Sequence, residues 1–422
     1  MLYLAKGGEN TTISDLELSG LVHEALEKLA TKKKVLLIPP DATRMHSKAG
    51  VITRTAYEHY RTAVTDIMPA TGTHFPMTIS EIQLMFPGVP TELFREHRWR
   101  EDLAELGRVP ADFITEKFGF KVEYDWPAQI NRLLASGGHE LILSIGQVVP
   151  HEIMGMANYN KNIFIGTGGA EAIHKSHYLG ALYGMERIMG RTDTPVRELL
   201  NYASENFAPH LPVVYILTVV APDNQGQPVT RGVFIGDDEQ CFRQAAGLSR
   251  RVNISAVGRR LERVVVYLKP EEYRSFWLGN KAVYRTRMAI ADGGELLVIA
   301  PGIEQFGEDP AMDSLIRRYG YRGTPAVQYA VENSPELKNN LSAAAHLIHG
   351  SSEGRFTIKY YAGGLTRAEI EAAGYGWISG SEAMERFNPL ENAPGFCRDS
   401  DGEEFFFINN PSIGLWAAEE IR

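Results

Sequence analysis

The strongest constraint in this chain is a set of short apolar runs spaced by helical stretches. VLLI (35–38), ELILSIGQVV (140–149) and LPVVYILTVV (211–220) read as buried strands, and VTDIM (64–68) as a further one. Strands that are apolar on both faces belong to sheets covered by helices on either side. The intervening segments supply those helices. Residues 13–33 place Leu16, Leu18, Leu21, Ala25 and Leu29 at helical spacing, and helices are expected again at 51–65, 170–189 and 237–252. Thr78 or Ser80 is placed to cap a helix that begins SEIQLMF. Short strands such as 121–124 and 162–165 complete this half.

From about residue 263 the pattern restarts. Strands are expected at 263–268, 295–299 and 355–361, and helices at 270–291, 311–318, within 325–348 and at 366–373. A chain of 422 residues exceeds what one hydrophobic core usually serves. The expectation is therefore two α/β domains, residues 1–263 and 264–399. The closing segment 400–422, with FFFINNPSIGLWA, is expected to return onto the first.

Several function classes are disfavoured. A net charge of -9 is wrong for a general nucleic-acid binder, which needs a basic surface. Cys241 and Cys397 form no CxxC pair and no disulfide framework, which fits a reducing, cytoplasmic setting. The start MLYLAKGGENTT lacks the charged and apolar regions of a signal peptide, and no window of the chain is apolar enough to span a membrane.

The chemistry-bearing residues follow the strands of the first half. Asp41 and Arg44 come just after 35–38, His74 after 64–68, and His151 and Lys161 after 140–149. The carboxyl ends of strands are where open α/β sheets bind ligands. His174 and His177 sit three apart on one helix face. Gly166, Gly168 and Gly169 of GTGG form a turn at that helix's start, where backbone N–H groups are able to cradle phosphate. The turn matches neither GxGxxG nor GxxxxGK[ST]. Two histidines from separate loops, His74 and His151, suit acid/base work near neutral pH. Groups on both faces of one carbon point to racemisation or epimerisation.

Taken together, DATR (41–44), GTH followed by FPM (72–77), His151 with Gly155 and Lys161, His177, and Lys281 in FWLGNKAV resemble the nickel-dependent lactate racemase family. The resemblance implies two α/β domains with the active site in the cleft between them, the first domain binding the cofactor. It implies an isomerase that racemises or epimerises 2-hydroxy acids. The implied cofactor is a nickel-pincer nucleotide, pyridinium-3-thioamide-5-thiocarboxylic acid mononucleotide, held covalently by Lys161 with His177 ligating nickel. Asp41, Gly166, Gly168 and Gly169 are then candidates for its ribose and phosphate end. His74 and His151 form the acid/base pair: one takes the hydroxyl proton while hydride leaves C2, giving a 2-keto acid, and the return step reaches the other face. Arg44 and Lys281 bind the substrate's carboxylate and hydroxyl. Cofactor-synthesis proteins are the implied partners.

Two departures bear on substrate. Leu278 stands where the lactate enzymes carry a glutamine, and Asn158, Tyr159 and Asn160 replace smaller residues, so the substrate-side contacts are expected to differ. A larger or more polar acid, such as a sugar acid, is as compatible as lactate. Two other classes remain open: a zinc-dependent metallohydrolase built on His151, His174 and His177, and a non-catalytic sugar-acid binding protein.

Overall fold

Strand Val35–Ile38 lies inside a six-stranded sheet, and the computed structural model that shows this describes residues 1–223 and 227–420. The order of strands is Leu2–Gly7, Pro228–Gly236, Val213–Pro222, Leu141–Gln147, Val35–Ile38 and Val64–Ile67. The last four are mutually parallel, and the first two are added antiparallel at one edge. Alternation along the strands divides the core. Val35, Leu37, Leu141, Leu143, Ile145, Val214 and Ile216 face one apolar cluster, completed by Leu18, Val22 and Leu26 of helix Asp15–Glu27 and Ile52 and Ala56 of helix Ala49–Tyr60. Ser14 caps the first helix, and Thr78 with Glu81 forms a capping box before Ile79–Met85. The α/β class expected from the apolar runs is the class the chain adopts.

The chain divides into two units: Met1–Ser176 with Ile188–Asn253, and His177–Arg187 with Ile254–Arg422. The second has its own six-stranded sheet, in the order Gly376–Trp377, Thr357–Ala362, Ile290–Ala300, Leu261–Tyr267, Glu404–Ile408 and Gly395–Arg398. All but the last run parallel. Val265, Leu297, Ile299, Phe405 and Phe407 pack on Ala383 and Phe387 of helix Gly380–Phe387. The closing segment, expected on the first domain, supplies a strand to this sheet, because Phe405, Phe407 and Ile408 complete its apolar faces. Leu415–Ala417 pairs in parallel with Ile254–Ala256. Residues 421 and 422 of that segment lie outside the described residues.

Three local expectations are corrected. Residues 162–165 form not a strand but a π-helical turn, Asn162–Gly166; a short apolar run such as NIFI fits either state, and here the Asn162 side chain anchors a turn. Residues 121–124 are irregular, and the strands nearby are Leu103–Val109 and Trp126–Asn131, paired antiparallel. The helix expected over 270–291 is two short ones, Phe276–Gly279 and Lys281–Thr286. Ser275 is extended and caps the first, and buried Asn280 divides them.

Candidate active site

In the first unit the strand order reverses between Val35–Ile38 and Leu141–Gln147: the chain passes from the former to Val64–Ile67 on one side, then returns to the other. Such a reversal opens a crevice at the carboxyl ends. Asn162 bridges it. Its Nδ2 donates to Ser144 Oγ at 3.0 Å and to the Ile38 carbonyl at 3.4 Å. Lys161 immediately precedes the π turn, a type of distortion that recurs at functional sites. Burial pushes its amine down to about 8, with Arg44 and Arg197 adding to the effect and Glu152 and Asp41 opposing it.

The Asp41 and His74 loops meet at this end of the sheet. Asp41 Oδ2 lies 2.7 Å from His74 Nδ1, and Oδ1 accepts from the Thr43 backbone N–H at 3.1 Å and from the Thr43 hydroxyl. Burial raises the Asp41 pKa, but the bonds to His74 and Thr43 outweigh it and hold the carboxyl below its usual range. With Nδ1–H donated to the carboxylate, the His74 imidazole presents Nε2 as a base. The ring is largely exposed, whereas Asp41 is buried. The same loop is pinned to the glycine turn: Gly72 adopts φ +57 and donates from its N–H to the Gly166 carbonyl at 2.9 Å. Arg44 is exposed beside Asp41 in the short 3-10 segment Ala42–Ser47.

His151 is half-buried and pairs with Gly155 across a two-strand turn. Gly155 has φ +75, and a Cβ there would come within 2.0 Å of the Arg191 carbonyl, so only glycine fits. His151 Nδ1 accepts from the backbone N–H groups of Ile153 at 3.2 Å and Met154 at 3.4 Å. A neutral ring with an accepting Nδ1 carries its proton on Nε2. The two histidines therefore start in opposite tautomers.

The glycine turn owes its composition to packing. A Cβ on Gly168 would meet the Phe164 carbonyl at 1.9 Å, one on Gly169 the Gln129 amide oxygen at 2.4 Å, and one on Gly166 the Ala70 side chain at 2.9 Å. His97 Nε2 lies 3.0 Å from the Gly168 carbonyl. The space that glycine leaves open is filled by the protein itself.

Asn158, Tyr159 and Asn160, expected to alter substrate contacts, are turned inward and buried. Helix Pro195–Phe207 holds them. It went unread in the sequence although Thr194 caps it, Pro195 opens it, and Val196, Leu199, Leu200 and Ala203 mark its buried face. Arg197 and Asn201 on this helix are the residues sequence reasoning missed; their four-residue spacing was the available signal.

In the second unit, Lys281 opens helix Lys281–Thr286 and Leu278 lies just before it; both are half-buried. Asn280 between them accepts at Oδ1 from the hydroxyls of Tyr360 at 2.8 Å and Tyr375 at 3.1 Å. His177 is the first residue of the 177–187 segment counted with this unit. Glu186 of that segment accepts from Nε of Arg287, which caps the end of the same helix, at 2.6 Å and from Arg355 Nη1 at 3.3 Å. His174, half-buried, is counted with the first unit, and burial and the Arg100 charge push its pKa down. Among the described residues no group of three or more His, Cys, Asp or Glu is arranged to hold a metal ion. No helix among them is long and apolar enough to cross a membrane.

The parallel sheet, its bridged crevice and the histidines at the strand ends define an α/β protein with a candidate ligand site. The family comparison is specific: residues 12–188 match the family model described as the lactate racemase N-terminal domain. No curated protein matches the chain in sequence. Among solved structures, a structural-genomics crystal structure of a Thermotoga maritima protein is 25% identical, with a TM-score of 0.75 over 89% of this chain and 94% of that one. The lactate racemase apoprotein from Thermoanaerobacterium thermosaccharolyticum shares the fold at a TM-score of 0.70 and 15% identity, over 96% of this chain and 93% of that one.

Proposed function

We propose that the chain is a racemase or epimerase of 2-hydroxy acids that works with a nickel-pincer nucleotide. One observation carries the reading: Lys161, with a lowered pKa, precedes the turn that bridges the crevice, and the Asp41–His74 pair stands at the carboxyl end of a neighbouring strand. The residues suit that cofactor. A lysine that is partly uncharged near pH 8 is a competent amine for a covalent tether. A single imidazole, His177, is the only protein ligand that a pincer already supplying sulfur and carbon donors requires. When bound, the group supplies a hydride acceptor and donor for C2.

The protein's part is proton handling and orientation. His74 takes the hydroxyl proton at Nε2, and Asp41 stabilises the imidazolium that forms. His151 is the second histidine of the pair and exchanges the proton through Nε2, acting as donor once its ring is protonated. Arg44 and Lys281 engage the carboxylate and hydroxyl, the guanidinium as a fork. Leu278 gives the substrate an apolar contact where the lactate enzymes place an amide, which favours an acid other than lactate. Asp41 accepts from His74 and Thr43, so it orients the base, and Oδ2 keeps acceptor capacity for the cofactor's ribose.

Intact mass spectrometry tests the tether on protein produced together with the cofactor-synthesis proteins. Added mass on Lys161 is expected, and its absence at full loading refutes the covalent reading. Proton NMR in D2O against 2-hydroxy and sugar acids tests the reaction. Epimer formation with the C2 hydrogen retained is expected, whereas deuterium entering C2 means proton abstraction instead.

A further inference from the structure

Arg197 is almost completely buried, and among the described residues no carboxylate pairs with it. Its fork is spent on the loop that leads to Lys161. Nη2 donates to the Met156 carbonyl at 2.6 Å, and Nη1 to the Asn160 amide oxygen and, at 3.4 Å, to the Asn158 carbonyl. Its Nε has no partner, and its guanidinium lies 4.4 Å over the Phe242 ring. A buried cation held only by neutral acceptors is costly, and burial pushes its pKa down to about 10.

The same helix face continues the grip. Asn201 and Ser204, one and two turns on, accept from Asn160 Nδ2 at 2.7 and 3.3 Å. The gripped loop has an unusual backbone. Asn158 and Tyr159 are consecutive non-glycine residues in the left-handed region, at φ +65 and +59. Such conformations cost energy and persist only where surrounding contacts enforce them. Tyr159 is enclosed by Phe242 at 5.1 Å and Tyr215 at 4.5 Å, and a Cβ on Gly146 would strike the Asn158 amide at 2.3 Å. Lys161 is the second residue beyond this strained pair.

We propose that Arg197 is the positioning residue for Lys161: it locks the loop 156–160 in its left-handed form and so holds the lysine in its buried setting. This rests on the reading of Lys161 as the cofactor tether. The charged groups facing Lys161 are Arg44, Glu152, Arg197 and Asp41. Burial lowers the Lys161 pKa most and the Arg44 charge acts on it more than the Arg197 charge does, so the main effect of Arg197 is its grip on the loop that keeps Lys161 buried.

The test uses the full-length chain produced without the cofactor-synthesis proteins, so its outcome is independent of loading. Reductive methylation with formaldehyde and cyanoborohydride, read by peptide mass spectrometry across pH, reports the uncharged fraction of Lys161 against surface lysines. The wild-type midpoint is expected at about 8. Arg197→Lys keeps it, and Arg197→Met raises it by on the order of one pH unit. An unchanged midpoint in Arg197→Met overturns the proposal. If that variant does not fold, Asn160→Ala carries the test, since it releases the loop with every charge in place. The midpoint then moves up as the loop opens and solvates the amine, and the labelling rate of Lys161 at high pH rises about threefold or more; an unchanged rate overturns the proposal. Absence of added mass on cofactor-loaded wild type would remove the tether reading and leave these labelling results standing.

Discussion

Replacing Asp41 by asparagine separates the chemistry of the Asp41–His74 pair from its contribution to stability. Asp41 makes two kinds of contact. Through Oδ1 it caps the segment Ala42–Ser47 by accepting from Thr43, and through Oδ2 it accepts from His74 Nδ1. Asparagine caps a helix start about as well as aspartate, so the first contact survives with a loss of a few tenths of a kcal/mol. The second involves a largely exposed ring, and screened pairs of this kind contribute about 0.2–1 kcal/mol. The summed loss is on the order of 1 kcal/mol at neutral pH. Because the Asp41 carboxyl is held below its usual range, the charge-dependent part of that difference is present above the ordinary carboxylate pKa. It disappears as pH falls through the lowered folded-state value, below about 4. Catalysis responds far more. An amide able to donate its N–H to His74 Nδ1 moves the ring proton to Nε2 and removes the base, a reversal worth about 10⁴ in kcat where a histidine base depends on its carboxylate. The paired assays are thermal unfolding with racemisation followed by chiral chromatography, and nitrogen NMR of the imidazole to identify the tautomer. If His74 keeps its proton on Nδ1 in the variant, or the variant retains more than about a tenth of wild-type kcat, the assignment of His74 as the base supported by Asp41 is wrong.

Other perturbations follow from the same geometry. Gly155→Ala drives a methyl into the Arg191 carbonyl at a positive φ, and chemical denaturation is expected to show a loss of about 2–4 kcal/mol; a neutral outcome contradicts the close approach. Glu186→Gln leaves the buried Arg287 without its carboxylate, at a cost of about 2–4 kcal/mol by the same measurement, discounted toward the lower end because Glu186 is partly exposed. Burial raises the Glu186 pKa, but Arg287 and Arg355 hold the carboxyl below its usual range, so wild type and variant should converge in stability below about pH 4; a gap that persists there refutes the linkage. Asn280→Ala strips the acceptor from Tyr360 and Tyr375 and loosens the start of the Lys281 helix. A rise in KM of several-fold together with lower stability is expected, and an unchanged KM contradicts the role given to Lys281.

The parallel strands were legible because they are buried on both faces: VLLI at 35–38 is a strand over that full span. The loops that follow them were legible as chemistry, since Asp41, His74, His151 and Lys161 are functional residue types in positions where packing asks for none. What escaped was decided by partners distant in sequence. NIFI at 162–165 satisfies strand and helix patterns alike, and only the reach of Asn162 to Ser144 and Ile38 selects the π turn. The packing that holds the glycines of GTGG, their crowding by Phe164, Gln129 and Ala70, is invisible along the chain. Asn158 and Asn160 carried no sign that their amides point inward, because the arginine that orders them lies some forty residues later in a helix that matches no motif.

The grip of helix Pro195–Phe207 on the loop before Lys161 also sets what is exchangeable between relatives. A graft of residues 151–169 alone would import Asn160 without Arg197, Asn201 and Ser204 and leave two left-handed residues with nothing to enforce them. The inheritable part is discontinuous, a loop with a helix some forty residues downstream. Chimeras that move both together should keep the lysine's setting, and drift in loop length should be tolerated only where the helix face changes with it.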